Sequence, residues 1–201
     1  MPMKDILASP IKALVAGLVL GAGVVVFWLA AVGADRVSLI SFAVRWLHIV
    51  SAVVWLGMIW FVNFIQLVAI AEAEPAARRP ILKHIVPRVA ETFRMASHFT
   101  VASGVVLLVT SGYIGGSLYY GAPVQLGVQR SGLMWVGTLA AMVMYMFVHM
   151  MIWPGLRLVL GIDKGDEATV AAARAKVAVY ARWNLVLAVP VTVAMVAAAH
   201  L

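Results

Sequence analysis

Apolar residues in this chain come in long unbroken blocks, and polar residues gather in the short segments between them. Five blocks stand out, at roughly 11–33, 38–70, 95–115, 132–154 and 178–200. Each is near or above the ~20 residues a helix needs to cross a bilayer. The pattern predicts an all-α integral membrane protein with five transmembrane helices. Helices two to five are expected to form an antiparallel four-helix bundle, and residues 1–201 a single transmembrane domain. The first block has Lys4 and Lys12 ahead of it and "AVGAD" behind it, as a signal peptide would. Its apolar core is longer than the ~7–15 residues of a signal h-region, so a retained helix is expected.

Between the blocks, "AEAEPAARRPILKHIVPRVAETFR" (71–94) combines charge with three prolines and reads as a connection, with Pro87 marking the start of the third helix. "GLRLVLGIDKGDEATVAAARAK" joins the fourth and fifth spans, with "GIDKGD" as its turn and helix afterwards. On the other side "GGSLYYGAPVQLGVQR" is Gly-rich, with Tyr119 and Tyr120 suited to an interface. Trp28, Trp46, Trp135, Trp153 and Trp183 fall near span ends, as an aromatic belt predicts.

Composition agrees: 64% of residues are hydrophobic and 11% charged, far from the balance of a soluble domain. The net charge of +7 does not point to nucleic acid, because its sources are sorted by side. Arg36, Arg45 and Arg130 fall on one side, and the other twelve Lys and Arg residues on the opposite side. The positive-inside rule then places the N-terminus in the cytoplasm and the C-terminus in the periplasm. Cysteine is absent, which removes disulfides, iron–sulfur clusters, thiolate metal sites and C-x-x-C-H haem attachment from these residues.

Four of the five histidines, His48, His98, His149 and His200, lie on four different spans and sort into two pairs by depth. His48 and His200 belong near the outer ends, His98 and His149 in the inner half. At ~100° per residue, Ser41, Arg45, His48, Ala52, Trp55, Ile59 and Gln66 share a face of span two. Span four aligns Ser131, Trp135, Thr138, Met142, Tyr145 and His149. Span three aligns Arg94, His98, Val105 and Gly112, and span five Arg182, Val189, Val193 and His200. Paired imidazoles at one depth are what bis-histidine haem ligation requires, so the four histidines are the expected ligands of haem iron, serving one or two haem b groups. Arg45 and Arg94, each one turn from a histidine, are expected to pair with the haem propionates. His84, between Pro80 and Pro87, reads as an interfacial surface residue.

The methionines crowding span four, among them Met134, Met142 and Met144, read as adaptable packing. Asn63, Gln66 and Asn184 read as amides that bond across helices, or to a quinone carbonyl. Gly17 and Gly21 form a G-x-x-x-G on the first span, compatible with helix packing or a homodimer.

"RWLHIVSAVVWLGMIWFVNFIQ" resembles the span-two motif of the membrane domain of the bacterial membrane-bound urate oxidase (urate hydroxylase) family, approximately R-W-L-H-x(6)-W-[IL]-G. "ARWNLVLAVPVTVAMVAAAH" is similar to that family's closing helix, with an early Asn, a mid-span Pro and a final His. A related R-x-L-H-x(6)-W-x-G pattern occurs in copper-resistance membrane proteins. The resemblance extends from about residue 40 and is firm at these two places. It implies a haem-bearing or electron-transferring bundle in the bacterial inner (plasma) membrane, with His48 and His200 on the motif positions. In that family a cytochrome c domain follows the membrane part, and these residues, lacking cysteine, do not contain it.

The leading expectation is therefore a b-type cytochrome-like electron-transfer protein passing electrons between a redox partner and quinone or cytochrome c, or anchoring a dehydrogenase. Urate oxidation follows from the resemblance alone. Copper handling by His and Met from facing helices is the further alternative.

Overall fold

A computed structural model describes residues 8–33, 36–111, 113, 114 and 128–200. The expected features at Gly112, Tyr119 and Tyr120 lie outside them. Every regular element among the described residues is helical. The helices are grouped here as five rods. Rod α1 is Pro10–Val32. Rod α2 is Arg36–Phe61, continued through a π-turn at Val62–Gln66 into Leu67–Glu72. Rod α3 is Pro75–Pro80, a π-turn at Ile81–Ile85, and Val86–Thr110. Rod α4 is Val128–Met146, a π-turn at Phe147–Ile152, and Trp153–Val159. Rod α5 is the uninterrupted Glu167–His200. All five are long and apolar enough to cross a membrane. The chain is an all-α, multi-pass membrane protein.

Two compact units divide the chain, Met1–Phe42 and Ala43–Leu201. In the first, α1 opens with Pro10, whose missing N–H costs nothing at a helix start, and stops at Gly33, which takes a positive φ of 73°. No residue in the apolar window of α1 is buried, and its mean hydropathy is 2.5. Such a surface calls for apolar surroundings, as a bilayer provides.

In the second unit one core draws on four rods: Trp55 and Ile59 from α2, Phe93 and Ala96 from α3, Met144 and Val148 from α4, Ala188 and Val191 from α5. π-turns interrupt α2, α3 and α4, next to Pro80 in α3 and Pro154 in α4. The expected 71–94 connection is in fact mostly helix, because Pro75 sits in a first turn and the π-turn follows Pro80 directly. Pro87 does fall at the start of the α-helix Val86–Thr110. The "GIDKGD" turn is present: Gly161 has φ 72°. Arg157 closes the turn by donating to both Asp163 oxygens at 2.9 and 2.7 Å. Asp166 caps α5 by accepting the Thr169 N–H at 2.7 Å.

The inward faces differ from those expected on three rods. On α2 the expected stripe holds from His48 onward, where His48, Ala52, Trp55, Ile59 and Gln66 face inward, joined by Ser51, while Arg45 is exposed. On α5 the expected Val189 and Val193 are 56% and 63% exposed. The buried stripe is Ala181, Asn184, Ala188, Val191, Ala194 and Ala198, about one residue round the helix. Alanines there let neighbouring backbones approach, while valines face lipid at no cost. Span three shifts likewise to Ala90, Phe93, Ser97, Thr100 and Ser103, leaving Val105 47% exposed. Span four shifts to Gly137, Met144, Val148, Ile152 and Gly155, so Tyr145 and His149 are half-buried at the edge of that face and Met142 is exposed. Gly155 marks a close crossing: a Cβ there would lie 2.6 Å from Val177 Cγ2 on α5.

Candidate functional site

The second unit has a basic end, where α2 turns into α3 and α4 into α5, and an opposite end carrying His48 and His200. Each end holds polar side chains beside a cavity.

Nearer the basic end, α3 and α4 bring His98 and His149 together. Their ring centroids are 4.3 Å apart, with planes tilted by 32°. Tyr145, one turn before His149, lies with its hydroxyl 2.8 Å from His98 Nδ1 and its ring centroid 4.2 Å from that of His149. Ser97 is fully buried and donates its one proton to the Arg94 carbonyl at 2.7 Å. Its oxygen is 3.1 Å from His149 Nε2. That oxygen therefore accepts from an Nε2–H, leaving the lone pair of His149 on Nδ1. The π-turn at Phe147–Ile152 holds His149 in this cluster, as π-turns do at many functional sites.

Arg94 lies one turn from His98 but is already engaged. It makes a two-pronged ion pair with Glu91 at 2.9 and 3.1 Å, and its guanidinium carbon stands 4.9 Å from the Trp153 ring centroid. The expected propionate partner of the inner pair is thus bound within its own helix face.

At the opposite end His48 reaches from α2 to α3. Its Nδ1 is 2.9 Å from the Thr100 carbonyl and 3.3 Å from Ser103 Oγ. A carbonyl only accepts, so the proton sits on Nδ1 and Nε2 keeps its lone pair. The ring lies so close to α3 that a Cβ on Gly104 would stand 3.0 Å from His48 Cε1. His48 and Arg45 line a cavity of about 330 Å³ together with Met134 and Met142 from α4 and Met195 from α5. A second cavity of about 350 Å³ lies at the basic end and includes Asn63, Gln66 and Asn184 in its wall.

His200 is not on the His48 cavity. It is exposed, on the lipid-facing side of α5, with its Nδ1 2.8 Å from the Val196 carbonyl of its own helix. Of the two expected pairs, then, His98 and His149 meet while His48 and His200 do not share a wall. His84 is exposed, as expected of a surface residue. The sequence reading missed Ser97, Thr100 and Ser103, whose i, i+3 spacing on an otherwise apolar helix was the available signal. It also missed Gly104 and Met195, for which no local signal exists.

Haem makes specific demands on these groups. Two histidines that share an iron point their nitrogens at each other across the macrocycle. Rings stacked at 4.3 Å do not fit that requirement, and their separation would be a precondition for a haem there. The His48 cavity fits better. It offers an imidazole with a basic nitrogen, an N–H anchored on a backbone carbonyl, thioether sulfurs on other rods and a guanidinium.

No protein-family model, curated protein or solved structure matches the chain.

Proposed function

We propose that the chain is a haem b-binding electron-transfer protein, with α2–α5 as an antiparallel four-helix bundle. Its basic end would lie in the cytoplasm of a bacterial inner membrane. The observation that carries this reading is the hydrogen bond from His48 Nδ1 to the Thr100 carbonyl beside a cavity also lined by Arg45. Histidines that ligate metals characteristically donate their other ring N–H to such a carbonyl, which fixes the tautomer and raises the basicity of the ligating nitrogen. His48 would hold the iron through its Nε2, and Met134, Met142 and Met195, which line the same cavity, are candidates to supply a second ligand. Arg45 would pair with a propionate at the membrane edge. A bound haem supplies reversible one-electron chemistry at its iron; the chain holds the ligand, excludes water and sets the local dielectric. The donor or acceptor would be a membrane quinol, a separate cytochrome c or a dehydrogenase. A second haem at His98 and His149 would require the stacked rings to separate.

Copper is the second reading, favoured by three methionine sulfurs and one imidazole around a single cavity, a soft ligand set. Urate oxidation is supported by the motif resemblance alone.

The test is the spectrum of the purified protein reduced with dithionite, with pyridine haemochrome quantitation and metal analysis. A b-type α-band that is lost in His48→Ala supports the proposal. Copper without iron moves the second reading forward, and neither metal overturns both.

A further inference from the structure

Four buried side-chain atoms among the described residues have no hydrogen-bond partner: Trp55 Nε1, Gln66 Oε1, Asn184 Nδ2 and Asn184 Oδ1. Three of the four belong to two residues in the wall of one cavity, the 350 Å³ space at the basic end. Asn184 is fully buried and Gln66 is 8% exposed. An amide left with both ends unpaired inside an apolar helix packing is costly, and natural proteins keep such groups where something else completes them. Asn63 beside them is differently placed, since its Nδ2 donates to the Ile59 and Ala181 carbonyls at 2.9 and 3.3 Å. The orphaned groups are thus two acceptors and one donor.

Around the amides the wall is apolar, with Phe93, Val86, Ile152 and Leu156; the cavity also reaches Arg78, which donates to the Ala73 and Ala71 carbonyls at 2.8 and 3.1 Å, and Arg174. Gln66 is the last residue of the π-turn in α2, a local widening of the kind that recurs at ligand sites. The volume lies at the lower end of the range for small-molecule sites. A ligand that completes this cavity has an apolar body and a polar group that both donates and accepts.

We propose that this cavity binds the headgroup of a membrane quinol. One phenolic O–H donates to Asn184 Oδ1 or Gln66 Oε1, and the same oxygen accepts from Asn184 Nδ2–H. The ring packs against Phe93 and the aliphatic wall. The reduced form is the better ligand, because a quinone carbonyl only accepts and leaves both acceptor oxygens unpaired. This deepens the electron-transfer reading by giving one redox partner a place, and rests on it for its biological sense. The binding chemistry needs only the cavity.

The experiment is titration of the full chain in detergent with a decyl-chain 1,4-benzoquinol under anaerobic conditions, followed by calorimetry, and with its dimethyl ether, which lacks both O–H groups. Saturable binding of the quinol is expected, with affinity roughly tenfold or more above that of the ether, as loss of a buried donor implies. Asn184→Leu and Gln66→Leu should each weaken quinol binding about fivefold or more while leaving ether binding near its original value. Equal affinity for quinol and ether on the unaltered protein overturns the proposal without any variant. So does the absence of saturable binding, or a tightly retained fatty acid or phospholipid that the quinol fails to displace. Because the titration reads binding and not colour, a haem-free preparation that binds quinol sinks only the haem reading. A haem-bearing one that ignores quinol sinks only this one.

Discussion

The two ends of the second unit treat their histidines in opposite ways. Toward the basic end, His98 and His149 stack on each other and are tied to Tyr145 and Ser97, a closed cluster in which side chains satisfy one another. At the other end His48 is held by α3 alone, beside open space, and His200 stands outside that space on its own helix. Equal depth in the membrane does not make a pair. Rotation about the helix axis decides, and on α5 it puts alanines inward and His200 outward. The closed cluster resembles a structural polar network, whereas at the open end the His48 ring borders a cavity.

The largest expected effect separates the two outer histidines. If the protein binds haem as proposed, His48→Ala abolishes its absorption band while His200→Ala leaves it in place; equal loss in both would restore the outer pair and break the contrast. Next in size is Gly104→Val. The new side chain would collide with the His48 ring, where even a Cβ comes to 3.0 Å. Overpacking of this kind costs about 1–3 kcal/mol or displaces the ring. A lost or shifted band with the helical circular dichroism unchanged is the expected signature, and an unaltered spectrum would show that His48 is not held as described.

Smaller effects belong to the closed cluster. Tyr145→Phe removes the hydroxyl at His98 Nδ1 and should lower the thermal midpoint by the equivalent of about 0.6–1 kcal/mol, as interhelical hydrogen bonds in membranes do. The His48-dependent band should not change. A large spectral effect of Tyr145→Phe would mean that the two ends are coupled.

The smallest effect lies outside the spans, at the cap of α5. Hydrogen bonds from Thr169 hold the Asp166 carboxyl below its ordinary value of 3.8. The folded state therefore binds this proton less readily than the unfolded chain. The cap's contribution is complete above pH 3.8 and disappears as the pH falls through the lower folded value. Asp166→Ala should flatten that part of the stability profile, measured by thermal unfolding against pH.

Much of the architecture was legible in the chain because membrane spans are written in plain lengths of apolar sequence. The rods, the α4–α5 turn at "GIDKGD", the helix start at Pro87 and the α2 stripe ending in Gln66 all follow from local chemistry. Other features did not. The segment 71–94 looked like a connection because its prolines suggest breaks, and the π-turn that lets helix continue past Pro80 has no sequence signature. The faces of α3, α4 and α5 were misjudged for a different reason. In a soluble helix the polar side faces water, so polarity reports orientation. In an apolar span lipid and protein interior are nearly alike to a valine, and a few polar residues are a poor compass.

The sequence by itself determined that this is a multi-pass all-α membrane protein with its basic residues sorted to one end, because hydrophobic length and charge are additive properties of the chain. Only the tertiary structure decided that His98 meets His149, that His48 stands by a cavity without His200, and that Asn184 and Gln66 line one cavity. Those outcomes depend on how small residues let rods approach and rotate, a property of four packed helices together that no single helix carries.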